Sequence, residues 1–485
     1  MTAETDLKEY ATSFKPISIG MWVAGEENAQ PYINLAQGNV GLVTSIQYHE
    51  DIFWPCYGAT MVLSDSAINL IAEMPIQGFE KVVMEFEDVV GDRYFYEFRI
   101  WQISNRINND RKQQYTIGLI SVEGLTNEGV HVNHKIEGNT SNQVRELLKK
   151  HLKVPDKLID TEPSATSIKY LPTKESPFSL IRRMLPKTVS EKTGQNAIAK
   201  AKAKAELKNT QDKKESDVLT KEAEKASGTA GYLFFQTRKS FVFKSIDHLV
   251  DSGEKFGGKK PVSGLFFFQQ AKIGKPSAFR IQEIVFGSEI NMIKQLREGS
   301  YSSLVSFFNI NTGEYEERVY SLSDMWKDMA HMGSLDKLPK GQDFLSEYPT
   351  RVMSSIVNHE NWYMESKVAS NEPKHGGNGD NQFPDWQKNF LQQGISRAST
   401  LFHQQLTISL TGHLELCAGD KIEIRIPNNK AENIKDEPWD TENSGTYLIK
   451  NLNHQFLMGA NPTVYTVLEL VRDCPGIKDQ ESKVK

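Results

Sequence analysis

The feature that most constrains this fold is a run of alternating apolar and polar residues near the end of the chain. Successive side chains of a strand point to opposite faces of its sheet, so alternation of period two predicts half-buried antiparallel strands. Turn-forming Gly, Pro, Asn or Asp residues bound each stretch of this run. The alternating stretches are residues 406–410, 421–426, 447–449 and 464–470.

A helix just before this run can cover one face of the sheet. Pro384 and Asp385 open it, and proline is favoured in a first helical turn. Apolar residues then recur at the spacing of one helical face. They are Trp386, Phe390, Leu391, Ile395 and Leu401.

A similar order of elements occurs near the start of the chain, which predicts an internal duplication. A Gly-Asp turn, Gly91-Asp92 in the first copy and Gly419-Asp420 in the second, falls at a matching place. The first copy has predicted strands at 42–48, 57–63, 81–87, 94–103 and 115–122, with a helix at 65–74. The second has strands at 280–286, 304–310, 406–410, 421–426, 446–456 and 463–472, with a helix at 385–402.

The middle of the chain is predicted as α+β. Ser141 is the expected N-cap of one helix, and Pro177 the first residue of another. Strands are predicted at 231–236, 241–243 and 264–269. Residues 188–229 are rich in Ala, Lys and Glu without an aromatic, so we expect a flexible excursion there, and residues 1–30 are an expected mobile lead-in.

Bulk properties exclude several classes of protein. The net charge of −5 over 485 residues does not favour general nucleic-acid binding. No apolar run approaches the roughly 20 residues that span a bilayer, and the polar N-terminus is not a signal peptide. The three cysteines, Cys56, Cys417 and Cys474, are too widely spaced for a zinc site and are expected to be reduced.

No residue pattern predicts a catalytic, cofactor-binding or metal site. His131 and His134 have the spacing of a metal pair but lack further ligands, so a surface turn is favoured. His359-Glu360 lacks the second histidine of a metalloprotease helix. Residues 376–379 are glycine-rich without the strand and helix of a phosphate-binding loop. Cys56 has no evident base nearby in sequence, so a buried apolar role is expected.

Several motifs nonetheless resemble one family. The resemblance is carried by residues 176–181, 231–237, 241–247, 445–449, 454 and 468–473. In these motifs the chain resembles baseplate hub proteins of contractile-tailed bacteriophages, which are related to the hub part of type VI secretion spike proteins. This resemblance extends from about Gly41 to Asp473 and includes no catalytic signature.

The resemblance implies an α+β, mainly β chain with two tube-protein-like antiparallel β-barrel domains. It implies a homotrimer whose six barrels form a quasi-sixfold ring in the virion, assembled in the host cytoplasm. Such a ring joins the hexameric tail tube protein to the trimeric central spike protein, contacts other baseplate proteins, and passes DNA without binding it specifically. The expected domains are 1–128 (first barrel), 129–275 (α+β), 276–326 with 385–475 (second barrel), 327–384 (loop-rich insertion) and 476–485 (tail).

An alternative hypothesis is a tail-associated cell-wall hydrolase, with its acid and base among the carboxylates of residues 327–384. No carboxylate spacing marks a glycosidase pair, so the structural role is favoured. A zymogram on purified cell wall distinguishes the two hypotheses.

Limited trypsin digestion is expected to cut first within residues 188–229, because this segment carries dense Lys and few apolar anchors. Two large resistant fragments should remain on a gel. Early cleavage within 406–472 would contradict the predicted domain order.

Overall fold

The computed structural model describes residues 13–25, 30–36, 42–66, 68–74, 76–109, 112–193, 230–251, 262–268, 279–287, 291–310, 313–326, 329–334, 348–356, 362–364, 386–428 and 439–477. The fold is mainly β with several helices. Within these residues, no helix is long and apolar enough to cross a membrane.

The secondary-structure elements follow in chain order, each numbered by type. The strands are β1 Lys15–Trp22, β2 Ile33–Asn34, β3 Val43–Asp51, β4 Gly58–Asp65, β5 Lys81–Glu87, β6 Arg93–Asn109, β7 Lys112–Ile120, β8 Ile136–Asn139, β9 Ile159–Thr161, β10 Thr166–Tyr170, β11 Tyr232–Gln236, β12 Phe241–Ser245, β13 Leu265–Phe267, β14 Ile281–Phe286, β15 Ser302–Phe308, β16 Tyr315–Ser321, β17 Arg351–Ile356, β18 Trp362–Met364, β19 Gln404–Thr411, β20 Lys421–Arg425, β21 Gly445–Leu457 and β22 Thr463–Arg472. The helices are α1 Leu70–Glu73, α2 Val122–Gly129, α3 Thr140–His151, α4 Pro177–Met184, α5 Ile246–Val250, α6 Met292–Glu298, α7 Leu322–Met325 and α8 Trp386–Thr400.

One sheet of 13 strands dominates the described part of the chain. Its pairing order is β14-β19-β22-β21-β3-β4-β7-β6-β5-β1-β2, and β20 joins β13 to β21. The long strand β21 pairs with β20 through its first residues and with β3 through residues 451–457. A single hydrophobic core runs beneath both halves of this sheet. The two β-rich parts of the sequence are therefore joined by the pairing of β3 with β21.

The expected pair of closed barrels is not confirmed. Among the described residues, the path of paired strands ends at β14 on one side and at β2 on the other. Two isolated bridges nevertheless join strands that are distant along this path, so the sheet curves. Phe267 of β13 pairs with Arg280, just before β14, and Ser13, just before β1, pairs with Thr463 of β22. Leu265–Phe267, which we expected in the middle domain, pairs with β20 of this sheet.

The strand expected at 304–310 has different neighbours from those of the proposed repeat. Ser302–Phe308 lies in a separate three-stranded sheet, between β16 and β17. Its equivalence with the strand expected at 57–63 is therefore not supported. Alternation identifies a strand but does not determine which strands pair with it. The described parts of 327–384 also contain strands, Arg351–Ile356 here and Trp362–Met364 beside β10.

The expected mobile lead-in contains a strand of the main sheet. Lys15–Trp22 pairs with β5, and the side chains of Ile19 and Met21 are fully buried. A register irregularity after Pro16 and a glycine at position 20 interrupt the apolar pattern, so the sequence signal was weak. Burial against β5 nevertheless orders this segment.

The excursion expected at 188–229 begins later than predicted. Ser190 bridges to Ser164, and Val189 and Thr193 are buried. Residues 194–229 lie outside the described residues. Segment 188–193 is thus anchored in the α+β middle part of the chain. This part contains two small sheets, one formed by β18, β10 and β8 and the other by β11, β12 and β9.

The middle helices follow the predicted start signals with one correction. Pro177 is the first residue of α4, as expected. Helix α3 is capped by Asn139 and not by Ser141, because the Asn139 side chain accepts hydrogen bonds from the backbone N–H groups of Ser141 and Asn142. Either residue type can cap a helix, and the turn after β8 selects asparagine.

Candidate functional site

A fully buried arginine joins four segments of the chain. Arg397 lies on α8, and its Nε donates to Asp247 Oδ1 of α5 at 3.1 Å. Its other nitrogens contact Asp473 Oδ2 at 3.2 Å, just after β22, and the Ala330 carbonyl at 2.6 Å. All five guanidinium N–H groups point away from solvent, so this junction depends on its two carboxylates.

The carboxylate of Asp473 is the most heavily hydrogen-bonded partner in this junction. It accepts from the backbone N–H of Met332 at 3.0 Å and from His331 Nδ1 at 2.9 Å. Burial acts to raise the pKa of Asp473, but the His331 hydrogen bond and the Arg397 charge outweigh it and hold this pKa well below its usual value. Asp473 therefore stays ionised and fixes residues 331–332 to the end of β22.

The same cluster contains three potential metal ligands. His331, Asp473 and Cys474 place one nitrogen, one oxygen and one sulfur within 4.8 Å of one another. However, Asp473 already pairs with Arg397, and His331 Nε2 lies 2.8 Å from the Trp326 carbonyl. A metal ion bound by Asp473 and His331 Nδ1 would have to displace the Arg397 guanidinium and break the His331–Asp473 contact, and burial keeps the third donor, the Cys474 thiol, protonated, so the donor set does not suit a metal site.

A second buried carboxylate links the main sheet to the middle of the chain. Glu50 of β3 accepts from the Tyr48 hydroxyl and from the backbone N–H of Arg238, both at 2.6 Å. Its other oxygen accepts from the Ala418 N–H at 2.7 Å. Burial raises the pKa of Glu50, and these hydrogen bonds oppose that change. The turn between β11 and β12 is thereby held against β3.

His454, one of the residues that carry the family resemblance, lies in the sheet core against Tyr48, the residue that donates to Glu50. Its ring stacks on Tyr48 with centroids 5.9 Å apart, and its Nδ1 lies 2.9 Å from Thr466 Oγ1. Burial, assisted by the charge of Arg238, lowers the pKa of His454 to about 3. The imidazole is therefore neutral at physiological pH and serves packing rather than acid–base chemistry.

Burial makes the thiols of the three cysteines unreactive. Burial raises the pKa of Cys56 to about 11 and raises the pKa of both Cys417 and Cys474 further. A thiol that stays protonated is neither a good nucleophile nor a ready metal ligand. Cys417 and Cys474 are buried and act as small apolar packing groups, whereas Cys56, which was expected to be buried, is half-buried.

Several other sequence candidates lie among the described residues. His131 and His134 are exposed, and the His134 ring stacks on His151 with centroids 5.3 Å apart. Asp420 supports its turn, because its carboxylate accepts from the Cys417 N–H at 3.0 Å. His359-Glu360 and residues 376–379 lie outside the described residues.

Among the described residues, strand β14 pairs only with β19 over residues 281–286 and so forms an edge of the main sheet. Most of its side chains are exposed, on both faces of the sheet. They are Gln282, Glu283, Val285 and Phe286. Val285 is 52% exposed and Phe286 45%, and they point to opposite faces because they are adjacent. An exposed edge with apolar residues on both faces is suited to pairing with another chain.

Two of these features have signals in the sequence that the predictions above do not include. Arg397 lies seven residues after Phe390 and four before Leu401, which places an arginine on the apolar face of an amphipathic helix. Glu50 follows Ile46 and Tyr48 at period two, so it is a carboxylate on the inward face of a strand. A charged residue in such a position indicates a buried partner.

Glu162, between β9 and β10, predicts a pH dependence of stability. Burial raises its pKa from 4.5 to about 7, although its carboxylate accepts a hydrogen bond from the Ser245 N–H. Because the folded state holds this proton more tightly, the stabilisation is complete below pH 4.5 and is lost as the pH rises through about 7. Between pH 5 and 8 the wild type should lose up to about 3 kcal/mol more unfolding free energy than Glu162→Gln.

Urea denaturation at a series of pH values checks this expectation. The amide oxygen of the introduced glutamine can still accept from the Ser245 N–H, so the fold is preserved in the variant. Glu146→Gln, on the exposed face of α3, is the matched control and should retain the wild-type profile. Parallel profiles for the wild type and Glu162→Gln would contradict the prediction.

Comparison with known proteins gives structural likenesses only. No protein-family model and no curated protein matches the sequence. The chain is similar to a tail protein from Neisseria meningitidis MC58, with a TM-score of 0.49 and 9% identity over 95% of this chain and 97% of that one. The 43 kDa tail protein of prophage MuSo2 from Shewanella oneidensis gives 0.46 and 8%, over 94% and 98%.

A third likeness is to an Escherichia coli component of the type VI secretion system, described as similar to tail proteins of bacteriophage T4. Its TM-score is 0.37 at 7% identity, over 93% of this chain and 76% of that one. Because every one of these TM-scores is below 0.5, they state what the chain is similar to and do not by themselves assign its family or function.

Proposed function

We propose that this chain is a structural baseplate hub protein of a contractile phage tail. In this role it forms a trimeric ring between the tail tube and the central spike, within the virion, and it is not an enzyme. The observation that carries the proposal is the pairing of β3 with β21, which holds two β-rich halves on one core. A subunit that occupies two adjacent positions of a sixfold ring needs two such halves in a fixed relation.

Two further features support a structural role. The buried charges of Arg397 and Glu50 are saturated by protein groups, so they hold segments together and are not available to a substrate. Strand β14 offers an exposed edge, and a ring of copies can cover such edges. Contacts between ring subunits should be of obligate size, about 2,000 Å² or more in total.

Light scattering and electron microscopy of the purified chain test the proposal. We expect a mass three times that of the chain and a ring with six similar lobes, above a threshold concentration or with the spike protein present. A hexamer of this chain, or a ring in which only one half of each chain takes part, would overturn it.

The assembled ring is expected to bind DNA weakly, because a channel that releases a genome cannot hold phosphates tightly. The chain carries 62 acidic and 57 basic side chains, which permits a neutral or acidic lining. Fluorescence anisotropy with duplex DNA at several salt concentrations measures this. Salt-sensitive affinity below about 1 μM for the whole ring would contradict the prediction, whereas binding confined to peptide 188–229 would not.

A further inference from the structure

Helix α8 packs against one face of the β16-β15-β17 sheet, and large apolar side chains are exposed on the other. Val305 and Phe307 of β15 point toward the helix, where they are buried against Leu391. Alternate residues of the three strands therefore point away from α8 and form the outer sheet face. Five large apolar side chains of this face are between 45% and 69% exposed: Phe308, Tyr315, Val319, Val352 and Ile356.

One carboxylate lies among these apolar side chains. Glu317 is opposite Ser306 of β15, and its row of the sheet lies between the rows of Val319 and Tyr315. The Tyr315 hydroxyl donates to Glu317 and holds it in place. Glu317 has no ion-pair partner among the described residues. The outer sheet face is thus apolar with one unpaired negative charge.

An exposed aromatic patch elsewhere on the chain carries the opposite charge. Phe53 and Trp54, in the turn between β3 and β4, are 38% and 61% exposed. The Arg182 guanidinium of α4 lies 5.9 Å from the centre of the Trp54 ring, and its Nη2 lies 3.5 Å from the Phe53 carbonyl. Arg182 also has no ion-pair partner in the described part of the chain. The Trp54 patch, formed by these three residues, is thus aromatic with one unpaired positive charge.

The two surfaces are complementary in charge and alike in apolar character. Contiguous exposed apolar patches mark interaction sites, and Trp, Tyr and Arg contribute most to binding at protein interfaces. A charge inside such a patch loses its water when the patch is covered, so the covering surface has to present the opposite charge. The outer sheet face therefore requires a basic group among apolar side chains, and the Trp54 patch presents one.

We infer that these two surfaces meet between neighbouring copies of this chain, with Arg182 of one copy beside Glu317 of the next. A contact between two different surfaces is heterologous, and three such contacts can close a trimeric ring. The inference rests on the proposed ring and adds the surfaces through which its subunits touch. Strand β14 belongs to neither surface, so this contact and the β14 edge are tested independently.

Charge reversal, with sedimentation velocity of the full chain as the readout, tests the inference. Glu317→Arg and Arg182→Glu should each raise the trimer dissociation constant about 30-fold or more, because like charges then meet. The double reversal restores a pair of opposite charges and should return this constant to within about threefold of the wild-type value. Residues that only support the fold of their own chain would show no such recovery.

Two reversals on α3 are the matched controls. Glu146→Arg and Lys149→Glu change the same charges on an exposed helix outside both surfaces, and they should assemble as the wild type does. Circular dichroism checks the fold of every variant. If Glu317→Arg does not fold, Val319→Arg takes its place, because Val319 is 58% exposed on the same face.

The outcomes separate this contact from the ring itself. A wild type that forms no trimer overturns the proposed ring and this contact with it. A wild-type trimer that withstands either single reversal leaves the ring standing and overturns the contact. Dissociation in both single variants without recovery in the double variant overturns the pairing of Arg182 with Glu317.

Discussion

Replacing Arg397 by methionine is expected to lower the free energy of unfolding by about 3–5 kcal/mol. Methionine fills similar space, but it leaves the carboxylates of Asp247 and Asp473 buried without their guanidinium partner. Both carboxylates also fix residues 330–332 by backbone hydrogen bonds. The loss should therefore loosen the contact between α5, α8 and the end of β22.

Guanidinium chloride denaturation followed by tryptophan fluorescence measures this change. The matched control is Arg93→Met, because Arg93 pairs with Glu85 at 3.0 Å and Glu87 at 3.4 Å while its side chain is 56% exposed. An exposed pair contributes only about 0–1 kcal/mol. Adding Asp247→Asn and Asp473→Asn to Arg397→Met should recover part of the loss. Equal effects of Arg397→Met and Arg93→Met would show that the junction is not a stabilising element.

If the chain forms the proposed ring, introducing charge at the exposed edge is expected to dissociate it. In the double variant Val285→Glu with Phe286→Glu, each glutamate lies on one face of β14. If this edge meets a neighbouring subunit, the two carboxylates lose water without gaining partners, and the subunit dissociation constant should rise by about 100-fold or more. The chain itself should stay folded, because both side chains are already exposed.

Multi-angle light scattering over a concentration series reads out this effect, with circular dichroism as a check on the fold. Leu171→Glu is the control, since Leu171 is 63% exposed but follows β10, away from the main sheet. The control should assemble as the wild type does. A double variant that still forms the wild-type oligomer would exclude β14 from the subunit contact.

The sequence predicted strand and helix bounds correctly wherever a short segment contains its own alternation or capping signal. Lys81–Glu87 is a strand with the bounds that its alternation predicts. Pro177 begins α4 as expected, because a fixed φ and a missing N–H suit the first helical turn. The helix predicted over 385–402 is Trp386–Thr400. Each of these depends on residues within one or two turns of each other.

The pairing of strands that are distant in sequence could not be predicted in this way. Alternation in 304–310 indicates a strand equally well in the main sheet or beside β17, and only the fold selected the second. Lys15–Trp22 becomes ordered because β5 lies next to it, and nothing within the segment itself indicates this.

The sequence by itself determined that the chain is mainly β and where most strands and helices begin. These properties follow from side-chain period and from capping, which act over a few residues. Only the tertiary structure decided that β21 joins the two halves, that Arg397 meets Asp473 across 76 residues, and that the Gln392 amide is buried without a partner among the described residues. The burial of a charge or an amide depends on what lies across the core, and that is fixed only when all the elements have packed together.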